Sequence, residues 1–301
     1  MINEGRLLTT PHEDDSHPLT TTFSSPLLFF SDACFEVLPP YASWLSQRER
    51  NNYAKFLNAL RKGFLPLSRE TVQNDALVKW AYNVALTRHN IVIEAKEKRI
   101  APMADMVNHG TFPNVEITYD NAGNCLVTAT KDIPPGTPLY MSCGDPSNPS
   151  PMFAKYGFLD DDCPGIFCKA MNHLTEIEDL GYGFKDLLFG TQNGEIAPQI
   201  WDLFLFKLLK DNNDPGTAEF LLACKNNNEA TKQQFLQNYF PYVLQALKEH
   251  VDHTIMTIDQ LTNKAYSYDI NKHPRVPVIV AHNELVKTTF VKVKQQLDAM
   301  G

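Results

Sequence analysis

"VEITYDNAGNCLVTATKDIPPGTPLYMS" (115–142) decides the fold class. Val115, Ile117 and Tyr119 alternate with polar residues, the period of a half-exposed strand. Asp120-Asn121-Ala122-Gly123 is a turn sequence, and Cys125–Thr130 reads as the return strand of a hairpin. Pro134-Pro135-Gly136 then turns the chain into another short apolar run, Leu139–Met141. Strands this short, joined by tight turns, exclude a βαβ array. They predict a small, bent, largely antiparallel sheet domain.

On either side the apolar period lengthens. Upstream, Leu45, Tyr53, Phe56 and Leu60 recur at helical spacing between Tyr41 and Arg61, and Gly63 stops that helix. Ser68 opens a second helical region with a capping residue. Leu77, Trp80, Ala81, Val84 and Ala85 form its apolar stripe, and it ends near Arg88. Ser25–Leu38 reads as strand or irregular structure, and residues 1–25 as disordered. Downstream of about residue 165, helix dominates. Trp201–Lys210 is strongly apolar; Leu244, Leu247, Val251, Ile255 and Ile258 make one stripe; Ile279, Val286, Phe290, Val293 and Leu297 make another. The expected class is α+β, with a strand-rich domain over 26–165 interrupted by a helical insertion at about 41–90. A helical domain over 166–301 follows. No internal repeat is evident.

The composition bounds the function. The chain has 301 residues and is 43% hydrophobic, enough for a sizeable core. A net charge of −8 argues against nucleic acid as the main partner, because phosphate binding needs a basic face. No apolar run is long enough to span a membrane, and the first residues lack the apolar centre of a signal peptide. An intracellular protein in cytoplasm or nucleus is expected, with no membrane partner. Oligomeric state is not legible.

Six cysteines in such a chain do not make a disulfide framework. Cys163 and Cys168 have a C-x4-C spacing that Cys143 could join. Structural zinc, however, shows tight ligand pairs, so no metal site is expected. His250 and His253 read as solvated helix residues.

The residues that could carry chemistry lie in three stretches. "WAYNVALTRHN" (80–90) places Arg88 at a helix end. In "APMADMVNHGTFPN" (101–114) a strand-like run leads to Asp105, then Asn108-His109, then a Gly and Pro-Asn. "KDIPPGTPLYMSCGDPSNPSPMFAKYGFLDD" (131–161) places Cys143 at the mouth of a Pro- and Ser-rich loop, with Tyr156-Gly157-Phe158 beyond it. Each residue taken singly has an ordinary reading. Arg88 could serve the helix dipole, Asp105 a turn, Asn108 and His109 local backbone groups. Tyr156 could be a core aromatic with its hydroxyl tied off.

Taken in order, these stretches resemble the SET-domain protein methyltransferases, in particular the Rubisco large-subunit methyltransferase group that includes the actin-histidine methyltransferase. The first matches that family's helix ending in Ser/Thr-Arg. The second matches Pro-x-x-Asp-x-x-Asn-His. The third matches Asp-Ile-x-x-Gly followed by Tyr-Gly, Ser-Asn and Tyr-Gly-Phe. The resemblance runs from about residue 35 to the C-terminus. It implies a SET-like fold followed by a helical substrate-binding domain, with S-adenosylmethionine as cofactor and a protein as partner. It further implies that Asn108 and His109 hold the cofactor's amino group and adenine, that Arg88 pairs with its carboxylate, and that Asp105 supports the pocket. Tyr156 takes the catalytic position at the channel for the target nitrogen, and Cys143 replaces the family's other channel tyrosine. No cation or base near Cys143 is visible in the sequence, so it is not expected to act as a catalytic thiol. The family's Gly-x-Gly cofactor segment is not found before Ser25, so an incomplete N-terminal segment is expected, and with it a plastid location stays open. The expected activity is methylation of a lysine, less so a histidine. The alternative is a catalytically impaired SET-like module that binds protein.

Overall fold

The computed structural model describes residues 30–63, 66–88, 90–92, 97–144 and 148–301. The expectations for residues 1–25, and for a Gly-x-Gly segment there, lie outside the described residues. Of the stretch expected as strand or irregular, Asp32–Phe35 is instead a helical turn, α1. Ser31 drives it: its Oγ accepts from Cys34 N–H, the usual service of a capping serine.

Pro39-Pro40 starts α2 (Pro40–Arg61), because proline at a first helical position wastes no donor. Ser68 caps α3 (Arg69–Gln73), and Asn74 caps α4 (Asp75–Thr87) by accepting from Leu77 N–H at 3.0 Å. The expected stripe of α4 is not its inner face. Leu77 and Trp80 are 37% and 47% exposed, whereas Val78 is buried. The helix turns Tyr82 inward, where its ring meets Tyr53 at 5.1 Å and Phe56 at 5.0 Å. An aromatic cluster with α2 thus decides the rotation, rather than the number of apolar residues per face.

Short strands follow: β1 (Asn90–Val92), β2 (Glu97–Arg99), β3 (Asn108–His109), β4 (Val115–Tyr119), β5 (Cys125–Ala129) and β6 (Tyr140–Met141). β1–β2 and β4–β5 are antiparallel, while β3 and β6 run parallel. The hairpin expected at 120–123 forms there. Asp120 Oδ1 accepts from Ala122 and Asn124 N–H, and Gly123 sits at φ +83°. The strand-like run before Asp105 is a 3-10 turn, Ala104–Met106. Pro102 offers no N–H to a ladder, and Asp105 N–H instead donates back to Ala101 O.

The Pro- and Ser-rich stretch contains a helix, α5 (Pro149–Tyr156). Asn148 caps it by accepting from Ser150 N–H, Pro149 occupies its first position, and Gly157 closes it at φ +76°.

β7 (Gly165–Phe167) and β8 (Leu188–Gly190) form an antiparallel ladder at the start of the helical region, with α6 (Leu174–Leu180) between them. The remaining helices are α7 (Pro198–Asp211), α8 (Thr217–Lys225), α9 (Glu229–Ala265) and α10 (Val276–Asp298). Both expected stripes face the core: Leu247, Val251, Val286, Phe290, Val293 and Leu297 are fully buried. Each such side chain contributes about 1.5–3 kcal/mol on leaving water. A second core cluster joins Val37, Ala42 and Phe153 to Ala265, Val276 and Ile279, so the strand-rich half and the helical half share apolar packing. His250 is not solvated. Its ring reaches Cys168 O at 2.7 Å and lies against Phe204. Burial pushes it down to about 4. Cys163 and Cys168 are buried free thiols. Among the described residues no helix is long and apolar enough to cross a membrane.

Candidate active site

The parallel pair sets Asn108 opposite Tyr140 and His109 opposite Met141. It therefore lays the Asn-His segment along the strand that leads to Cys143. Gly110 permits the approach: its N–H donates to Met141 O, and a Cβ there would stand 2.9 Å from Tyr140 Cβ. Asn114, buried, acts as a third strand edge. Its N–H donates to Tyr140 O, its Nδ2 donates to Pro138 O at 3.0 Å, and its Oδ1 accepts from Tyr140 N–H at 2.8 Å. The sequence reading passed over Asn114 except as the end of a motif; a polar residue after proline that ends buried is the signal.

The His109 side chain is only 5% exposed. Cys143 N–H donates to its Nδ1 at 3.1 Å, and only an unprotonated nitrogen can accept. The ring proton is therefore on Nε2, which donates to Asp160 Oδ2 at 2.9 Å. The Thr111 hydroxyl donates to the same carboxylate. In the sequence Asp160 is one of three consecutive aspartates, Asp160–Asp162, that follow Tyr-Gly-Phe-Leu, with nothing to distinguish it.

Arg88 ends α4, and its Nη1 donates to Asp105 O at 3.1 Å and approaches Asp105 Oδ1 at 3.4 Å. Both side chains are about three-quarters covered. The expectation that no cation lies near Cys143 is corrected: Lys155 and Arg88 both favour its thiolate electrostatically. Burial outweighs them and pushes the thiol up, so the group is a neutral thiol at neutral pH. The missing cations were invisible because Arg88 arrives from a distant helix and Lys155 from the next turn of chain.

Tyr156 is buried and its hydroxyl donates to Cys143 O at 3.0 Å. Burial chiefly, and then Cys143, raise the phenol above its ordinary range. The Lys155 ammonium lies 4.8 Å from the Tyr156 ring centroid. Burial holds Lys155 below the ordinary lysine range. Lys155 is a site residue the sequence reading did not single out.

The structure thus brings Arg88, Asp105, His109, Cys143 and Tyr156 together. Asn108 joins them through its backbone, with its side chain exposed. Beside His109 lies an open pocket of about 410 Å3, lined by His109, Gly110, Tyr140, Phe158, Leu159 and Asp160 among others. Phe158 packs on the His109 ring at 5.6 Å.

Residues 3–144 match the SET domain family, a stretch that begins upstream of residue 35, the expected start of the resemblance. A sequence search of curated proteins finds no significant match. Solved structures similar in fold include Rubisco LSMT bound to AdoMet, at 13% identity and a TM-score of 0.56, covering 92% of this chain and 68% of that one. Another is the SET domain of LSMT bound to lysine and AdoHcy, at 12% identity and a TM-score of 0.55, with 92% and 68% covered. The chain therefore carries a SET-domain match over residues 3–144, on a fold shared over most of its length with Rubisco LSMT.

Proposed function

We propose that this chain is an S-adenosylmethionine-dependent protein methyltransferase acting on a lysine side chain. The observation that carries this reading is that Arg88 pairs with Asp105 while Tyr156 bonds to Cys143 and Cys143 to His109, a residue that itself lines an aromatic-walled pocket. The ligands named for the two similar structures, AdoMet in one and lysine with AdoHcy in the other, support the same ligand classes.

The residues present fit the cofactor. A pocket of about 410 Å3 falls within the size of small-ligand sites. Phe158 and Tyr140 offer aromatic faces to a purine, and the Asn108–Gly110 backbone offers the polar edge. Arg88, a planar fork oriented by Asp105, suits a carboxylate. When bound, S-adenosylmethionine would supply an electrophilic methyl group, passed to the amine nitrogen as the C–S bond breaks with its electrons left on sulfur.

The chain's own part is to position the target nitrogen and keep it neutral. A lysine in water, with a pKa of about 10.4, is almost wholly protonated at neutral pH. Burial disfavours that charge, as it already does for Lys155 beside the site. Tyr156 donates to Cys143 O, yet its oxygen keeps lone pairs that can accept from an amine N–H. The helical region over 166–301 would hold the protein substrate.

One observation favours a second reading, a protein-binding module with impaired catalysis. Cys143 supplies no phenol at the site, and the Tyr156 hydroxyl is already committed to a backbone carbonyl. Calorimetry with S-adenosylmethionine and transfer of labelled methyl to a cell lysate decide between the two. Binding with transfer supports the methyltransferase. Binding without transfer selects the module, and a folded protein that does neither removes the proposal.

A further inference from the structure

Asp160 follows the Tyr-Gly-Phe motif by two residues and has no role assigned by the resemblance, yet its side chain is only 10% exposed. It accepts from two groups that flank the pocket. His109 Nε2–H donates to its Oδ2 at 2.9 Å, and the Thr111 hydroxyl lies within 2.7 Å of both oxygens. Through His109 the connection goes further. Nδ1 accepts from Cys143 N–H at 3.1 Å, and the carbonyl of that residue accepts from the Tyr156 hydroxyl at 3.0 Å. Asp160, His109, Cys143 and Tyr156 therefore form one line of hydrogen bonds from the pocket rim to the phenol.

A carboxylate can only accept, so it leaves His109 no choice of which nitrogen holds the proton. With the proton on Nε2, the Nδ1 lone pair faces the Cys143 amide. Without Asp160 the other tautomer becomes available, and its Nδ1–H would oppose the Cys143 N–H, two donors head to head. The imidazole ring is also fully used by protein groups: one nitrogen holds Asp160, the other Cys143. This changes the part His109 plays. Its ring is a bracket inside the protein, and any contact it makes with a ligand runs through its backbone or ring face.

We infer that Asp160 is a positioning residue, which fixes the His109 tautomer and thereby holds the Cys143 peptide where its carbonyl orients the Tyr156 hydroxyl. The effect on turnover rests on the methyltransferase reading; the tautomer and the peptide position do not. Asp160→Ala removes the acceptor. Asp160→Leu, which keeps the branched shape of aspartate, tests the same loss should alanine fail to fold. Asp160→Asn keeps an oxygen that can accept from Nε2–H and serves as the conservative rescue.

Long-range proton–nitrogen NMR on histidine-labelled protein reads the tautomer directly. The parent should show His109 protonated on Nε2 alone. Hydrogen exchange at the Cys143 amide reads the next bond. Asp160→Ala or Asp160→Leu should lose protection there by about tenfold or more, an N–H bond of roughly 1.4 kcal/mol, while amides of the helical core stay protected. Asp160→Asn should recover most of it. If the parent binds and uses S-adenosylmethionine, the same two variants should lower turnover by about tenfold to a hundredfold, the scale of a misplacement near 1 Å. A His109 ring protonated on Nδ1 in the parent would overturn the inference, as would Cys143 exchange or, in an active parent, turnover unchanged by both variants. A parent that binds no cofactor but shows the Nε2 tautomer and the exchange pattern overturns the functional reading instead and leaves the bracket standing.

Discussion

The Tyr156 hydroxyl donates to the Cys143 carbonyl at 3.0 Å, so this phenol is held by the backbone of the residue that stands where a second phenol is expected. The bond fixes the Tyr156 ring and points the remaining oxygen lone pairs away from the Cys143 peptide. Tyr156→Phe should lower methyl transfer by about tenfold to a hundredfold. It also leaves a partly buried carbonyl without its donor, at about 1–3 kcal/mol of stability. Comparing turnover with the urea midpoint separates the two effects. A variant with full turnover and reduced stability would make Tyr156 an ordinary core aromatic.

Cys143 bears on the same geometry. Burial pushes its thiol up despite Lys155 and Arg88, so alkylation by iodoacetamide at neutral pH should be slow. Cys143→Ser should leave any activity within about twofold, because the backbone groups at this position do the bonding and serine keeps them. Cys143→Tyr should raise transfer if a second phenol is what the site lacks. Loss of activity in Cys143→Ser would mean the thiol is chemical.

Local signals were legible and non-local ones were not. The turn at Asp120–Gly123 was readable because its bonds close within five residues. The two long apolar stripes were readable because burial enforces one face over many turns. Helix α5 is masked in sequence by its Pro and Ser composition, although Asn148 before it, Pro149 at its first position and Gly157 after it are cap signals. β3 and β6 have two residues each, too few to show a period. The Arg88–Asp105 pair was reachable only through family order. The His109–Asp160 pair joins positions 51 apart and left no trace in spacing.

Asn114 should prove more costly to lose than its place in a loop suggests. Asn114→Ala removes the partner of the part-buried Tyr140 N–H and of the Pro138 carbonyl, which is on an exposed residue. With water able to reach the Pro138 carbonyl, the loss should be about 1–3 kcal/mol, the penalty of one unsatisfied group. Because the same residue ties β6, the partner strand of β3, to the start of β4, cofactor binding should weaken as well. Denaturation and calorimetry of this one variant check both, and a change in stability below about 0.5 kcal/mol, the level of an ordinary surface site, would contradict the role.

Lys169 predicts the pH dependence of stability. It is buried with φ +60°, its Nζ donates to Ser150 Oγ at 3.1 Å, and Ser150 in turn meets His282 Nε2 at 3.1 Å. The Tyr41 ring and the Cys163 and Cys168 thiols complete its surroundings. Burial pushes Lys169 down to about 7, while an unfolded lysine holds its proton to about 10.4. Below about pH 7 both states are protonated, and the cost of burying the ammonium is felt in full. Between that value and about 10.4 the unfolded chain binds the extra proton, so stability rises with pH. The buried thiols oppose this above their unfolded value of about 8.5, because they stay protonated in the fold up to about 12. On the acid side, burial pushes His282 down to about 3 and His250 to about 4, so stability falls as pH drops through about 6.5 and is lost progressively towards those values. Maximum stability should therefore lie near pH 8–9, above neutrality. Lys169→Met should stabilise the protein at neutral pH by about 1–4 kcal/mol, the scale seen when a buried charge gives way to an apolar side chain. It should also flatten the rise between about pH 7 and 8.5 while leaving the acid limb unchanged. Urea titrations of parent and variant across that range provide the measurement. A parent curve that is flat above neutrality, with no gain from Lys169→Met, would show that this lysine is not held in the buried form.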